Sequence, residues 1–120
     1  MRLAATAIAF AISCVSLTPA AAQQQFNGRW SVEVVTEQGA CDRAYRYPVA
    51  IENGRIRYAG SEGFNVAGTV NPRGAVRTSI SSGQLRADIT GRLAGSAGSG
   101  TWAISGSRSC SGYWRAERQG

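Results

Sequence analysis

The residues with chemistry to offer are few. Histidine and lysine are absent, which removes the usual near-neutral base and the usual nitrogen ligand for zinc or haem. Carboxylates come from seven acids, Glu33, Glu37, Asp42, Glu52, Glu62, Asp88 and Glu117. A glycosidase-type pair needs two of them facing one bond with one held protonated, and no spacing here selects such a pair. No Asp-x-Asp-x-Asp loop offers a calcium site. Gly95, Gly98 and Gly100 lie in a small-residue stretch, Ala94 to Gly100, that follows no strand-to-helix pattern and so reads as a flexible loop rather than a phosphate cradle. The expectation is a non-enzyme with no cofactor and no metal.

Cys41 and Cys110, 69 positions apart, suit one disulfide if the chain folds in an oxidising compartment. The N-terminus points there. Met1-Arg2, an apolar run from Leu3 to Ile12, and Ala20-Ala21-Ala22 ahead of Gln23 are the three parts of a secretory signal peptide. Thr6, Ser13, Ser16, Thr18 and Pro19 break the run before it reaches the roughly 20 apolar residues of a spanning helix. Cys14 departs with the leader, and Ala11-Ile12-Ser13 before it lack the leucine usual three places ahead of a lipidated cysteine. Residues 1–22 are thus read as a cleaved signal and 23–120 as a single periplasmic or secreted domain with no transmembrane segment after cleavage. Removing 22 residues from 120 leaves 98, and without Arg2 the net charge falls from +6 to +5.

The elements that must position these residues have period two, and no window holds the spacing of an amphipathic helix. Trp30, Val32 and Val34 alternate with polar neighbours, as do Tyr45, Tyr47, Val49 and Ile51. Asn53-Gly54 then marks a hairpin leading to Ile56 and Tyr58. Phe64, Val66, Gly68 and Val70 follow, then a turn at Asn71-Pro72-Arg73-Gly74, then Val76, Thr78 and Ile80, with another turn near Ser82-Gly83. Leu85, Ala87, Ile89 and Leu93, then Trp102 and Ile104, then Trp114 and Ala116 complete about eight strands. Such a series is all-β and closes as a small up-and-down antiparallel β-barrel, which removes exposed edges; a β-sandwich is the alternative. Pro48 donates no ladder hydrogen bond, so a bulge is expected there.

Gly-x-Trp occurs three times, at Gly28-Arg29-Trp30, Gly100-Thr101-Trp102 and Gly112-Tyr113-Trp114. Each glycine shares a face with its inward tryptophan and leaves room for the ring. Strands of about five to seven residues predict an interior filled by side chains; if a lumen remains, Tyr45, Tyr47, Tyr58, Trp102 and Trp114 are the candidates to line it. Arg55, Arg57, Arg77, Arg86 and Arg92 fall on outward positions and form a candidate face for an anionic partner, since guanidinium groups hold carboxylate, sulfate or phosphate well. No recognition helix or RNA-binding motif is present, so nucleic acid is not expected.

The opening Gly28-x-Trp30, with Arg118 near the end of the last strand, resembles the calycin superfamily of closed barrels, which includes lipocalins, avidins and small periplasmic metalloprotease inhibitors. The resemblance implies that Trp30 closes one barrel end and Arg118 packs across it, with Arg115 as the alternative if strand parity slips by one. The run from Phe26 to Arg118 also resembles small exported bacterial one-disulfide β proteins that carry no assigned activity. Taken together, the expectation is a monomeric binding module of the bacterial envelope whose partner is an unknown protein or an anionic envelope polymer. The loops Thr36 to Asp42, Ala59 to Gly63 and Ala94 to Gly100 would make the contact. A hydrolase inhibitor, a structural or adhesive protein and a carrier of a small apolar molecule are the other readings.

Overall fold

The computed structural model describes residues 23–61 and 65–120. The expected signal peptide, and Glu62, Gly63 and Phe64 with the second half of the Ala59 to Gly63 loop, lie outside the described residues. Eight strands run in chain order: β1 (Gly28–Gln38), β2 (Ala44–Glu52), β3 (Arg55–Tyr58), β4 (Asn65–Val70), β5 (Ala75–Ser82), β6 (Leu85–Ala94), β7 (Ala97–Gly106) and β8 (Cys110–Arg118). Each pairs antiparallel with the next, and β1 pairs with β8 to close the barrel. The up-and-down barrel expected from the alternating pattern is the observed fold.

Local chemistry accounts for the turns. Asn53 and Gly54 take φ values of 50° and 78°, both positive, as a two-residue hairpin turn matched to strand twist requires. Asn71 holds the β4–β5 turn by accepting the Arg73 and Ala75 N–H groups on its Oδ1, at 3.0 and 2.9 Å. The expected loop from Ala94 to Gly100 is instead strand on both sides of a tight turn at Gly95-Ser96, with Ala94 opposite Ala97. Gly95 supplies a positive φ at the turn, and Gly98 and Gly100 are small because neighbours occupy the space a side chain would need. Leu93 fills the place where a Gly98 side chain would be, and Trp114 Nε1 would be 2.7 Å from a Cβ on Gly100.

The Gly-x-Trp repeats on β7 and β8 interlock. Gly100 stands opposite Trp114 and Trp102 opposite Gly112, so each indole crosses the bare backbone of the neighbouring strand. The Trp114 ring reaches over Gly100 and Gly91 to donate its N–H to the Thr90 carbonyl at 3.0 Å. Trp102 crosses the other way and places its N–H 3.1 Å from the carbonyl oxygens of Tyr113 and Val35, spanning the β8–β1 seam. Gly28 serves differently, since a Cβ there would meet the Gly120 backbone oxygen at 2.6 Å rather than an indole. Gly112→Ala would drive a methyl into the Val35 carbonyl at the closing seam. It should cost about 1 to 3 kcal/mol in urea denaturation; Gly83→Ala meets nothing within 4 Å but holds an alanine at a φ of 60°, so it should cost only the backbone strain of about 1 kcal/mol.

Pro48 carries no bulge: it pairs in register with Ser31, and the shift in β1 falls between Thr36 and Gln38. The Pro48 carbonyl accepts the Ala59 N–H at 2.9 Å, so its own nitrogen faces the point where the β3 ladder ends and no donor is needed.

Candidate functional site

The topology puts the β2–β3, β4–β5 and β6–β7 turns, the start of β1 and the end of β8 at one barrel end and the remaining connections at the other. The first end is closed. Trp30 is 1% exposed and donates its indole N–H to the Phe26 carbonyl at 2.9 Å, while Phe26, Ile51, Leu93 and Ala116 are buried around it. Arg118 lies with its guanidinium carbon 5.0 Å from the Trp30 ring centroid. Its NH2 nitrogen donates to the carbonyls of Gln25 at 2.8 Å and Gly95 at 3.0 Å, which ties the N-terminal segment and the β6–β7 turn into the floor. Trp30 and Arg118 are thus in contact at the closed end. Arg115, the alternative, points outward to Glu33 at 3.1 Å.

Above this floor the barrel holds a cavity of about 310 Å³. The expectation of a filled interior is therefore corrected. Six strands run eight to eleven residues, longer than the short strands expected, so the barrel is tall. Trp30 fills the closed end, whereas beyond it the lining includes the small side chains of Val32, Val34, Thr78, Ala87 and Ser82, which leave the axis open. All five lumen candidates, Tyr45, Tyr47, Tyr58, Trp102 and Trp114, line the cavity. Trp102 and Trp114 are buried with their N–H groups on backbone carbonyls, so they act as wall. The tyrosines are only half-buried and form a strip, with ring centroids 5.7 Å apart for Tyr45 and Tyr47 and 6.2 Å for Tyr47 and Tyr58.

The open end is framed by residues that sequence patterning did not bring together. Cys41 and Cys110 form the expected disulfide, joining the β1–β2 loop to the start of β8, and Cys41 lines the cavity. Within that loop, Thr36 Oγ1 donates to the Asp42 carbonyl at 2.7 Å and the Asp42 N–H donates to the Tyr45 hydroxyl at 2.8 Å. The Thr36 to Asp42 segment is consequently tied down at the mouth. The Ala94 to Gly100 segment is not a mouth loop, because its turn sits at the closed end. Arg108, in the β7–β8 connection, lines the cavity and was not singled out by spacing. Among the described residues it is the one charged side chain that does so.

The five arginines of the expected anionic face are all exposed. Arg57 pairs with Glu52 at 2.9 Å and Arg86 with Asp88 at 3.2 Å, which lowers the field of the face. Arg55, Arg77 and Arg92 make no ion pair among the described residues; Arg55 and Arg77 flank Thr69 in one row across β3, β4 and β5. Glu33 is held between Arg46 and Arg115 at 3.2 and 3.1 Å. No acid among the described residues lines the cavity, and no group of three His, Cys, Asp or Glu side chains there is placed to hold a metal ion. None of their helices is long and apolar enough to cross a membrane. Comparison of the chain with protein-family models, curated proteins and solved structures returns no match.

Proposed function

We propose that the protein is an exported, non-enzymatic binding module that holds one small, largely apolar molecule inside its barrel. The observation that carries this reading is the cavity of about 310 Å³, floored by Trp30 and walled by aliphatic and aromatic side chains. A pocket of this size and lining is what a small-molecule site requires, and at about 30 Å³ per water volume it takes a ligand of roughly ten such units. The Tyr45, Tyr47 and Tyr58 strip offers ring faces with hydroxyls at their tips, a surface that accepts apolar groups and tolerates a polar end. The intramolecular disulfide is consistent with an oxidising compartment, which supports the periplasmic or secreted reading and the calycin-like one of a small exported barrel.

Octanol titrated calorimetrically into the purified protein should bind one per barrel with a dissociation constant below about 1 mM. Ala87→Phe, which places a ring in the cavity, should abolish that binding with the barrel's circular dichroism unchanged. Absence of octanol binding to the parent protein would remove the reading. A second reading, recognition of an anionic envelope polymer, draws on Arg55, Arg77 and Arg92, which make no ion pair among the described residues. It requires retention on a sulfated matrix that falls steeply with salt and is lost in the triple alanine variant.

A further inference from the structure

We infer that the molecule held in the barrel is a single-chain amphiphile bearing a carboxylate, its tail among the aliphatic side chains and its head at the mouth beside Arg108. This inference rests on the cavity reading above and adds the chemical class of the ligand. A purely apolar guest needs no charge at the entrance, yet Arg108 lines the cavity. The ion pairs among the described residues engage Arg46, Arg57, Arg86 and Arg115, and Arg118 is occupied by backbone carbonyls at the floor. Arg108 enters none of them. It stands in the exposed segment between β7 and β8, where its head stays hydrated until an anion arrives and no buried charge burdens the empty barrel.

A guanidinium offers a planar fork of N–H donors that matches the two oxygens of a carboxylate. Tyr45 supplies the complement. Its hydroxyl oxygen already accepts the Asp42 N–H at 2.8 Å, so its own proton is the part left to donate, and the residue lines the same cavity. The size of the space sets the tail: room for roughly ten water-sized units admits one chain of medium length and excludes two-chain lipids.

The test compares octanoate, octanol and octyltrimethylammonium by calorimetry on the purified protein. Octanoate should bind about ten-fold or more tightly than octanol, and octyltrimethylammonium more weakly than either. Arg108→Gln should weaken octanoate about ten-fold or more and leave octanol unchanged, with an unaltered melting temperature because the side chain is exposed in a connection. Tyr45→Phe should reduce octanoate affinity by a smaller factor and spare octanol. If octanol matches octanoate in the parent protein, or if Arg108→Gln leaves their affinity ratio unchanged, the carboxylate assignment is overturned while the cavity reading stands. If none of the three probes binds, both fall together.

Discussion

Removing the Cys41–Cys110 bridge, by reduction or as the Cys41→Ala/Cys110→Ala pair, is expected to lower the melting temperature by about 15 °C or more. The two residues are 69 positions apart, and closing a loop of that length in the unfolded chain is worth about 4 kcal/mol on the chain-entropy account. Set against the 5 to 15 kcal/mol or so that holds a typical domain together, that is a large share. The position of the bridge adds to its weight. Every other ladder joins neighbours in sequence, but the β1–β8 ladder joins the two ends of the domain and is the contact whose closure costs most entropy. It is also the ladder interrupted by the Thr36/Gln38 shift, just where the bridge lies beyond the Gln38 and Ser111 pair. Both forms should therefore melt early, and they should agree with one another. A change below about 1 kcal/mol in urea denaturation would show that the seam is held by its ladder and by Trp102, whose N–H contacts carbonyls of both strands.

What the sequence made legible is whatever depends on nearest-neighbour alternation. Period two put Trp30, Tyr45, Tyr47, Tyr58, Trp102 and Trp114 on one side of the sheet, and all six line the interior. Asn53-Gly54 announced its turn because few dipeptides tolerate two positive φ values in succession. Features set by neighbours across the sheet were hidden. Gly98 and Gly100 have low strand propensity and read as loop, since the side chains that require them, Leu93 and Trp114, belong to other strands or other turns of the pattern. Pro48 looked disruptive because the end of the β3 ladder, which spares it a partner, is a matter of register. The outward arginines could be counted but not their pairing, and Glu52 and Asp88 take two of the five. Arg108 was the least visible. Nothing in Ser107-Arg108-Ser109 marks it locally, and its place at a cavity exists only once β7 and β8 are folded beside the β1–β2 loop.

Trp30→Ala is expected to cost about 3 to 5 kcal/mol, as deletion of a fully buried large ring generally does. Trp30 is the largest wholly buried side chain and the floor of the barrel. Three separate losses converge on it. The ring leaves a void at the closed end; the Phe26 carbonyl loses the indole N–H that meets it at 2.9 Å; and Arg118, 5.0 Å from the ring centroid, loses the π face that offsets its partial burial, a contact worth about 1 kcal/mol. Arg118 can ill spare it, because its Nε is buried without a hydrogen-bond partner among the described residues. Comparing variants separates the contributions. Trp30→Phe keeps most of the volume and a π face but not the N–H, so it should cost about 1 to 2 kcal/mol. Arg118→Ala removes the cation and its links to Gln25 and Gly95 while leaving the ring in place. If ring and guanidinium act as one closing unit, the double variant Trp30→Ala/Arg118→Ala should be less destabilised than the sum of the two single changes. A loss below about 1 kcal/mol for Trp30→Ala alone would mean that Phe26 and its neighbours close the barrel without it. Strict additivity would mean that the indole and the guanidinium stabilise the floor independently, through packing on one side and backbone carbonyls on the other.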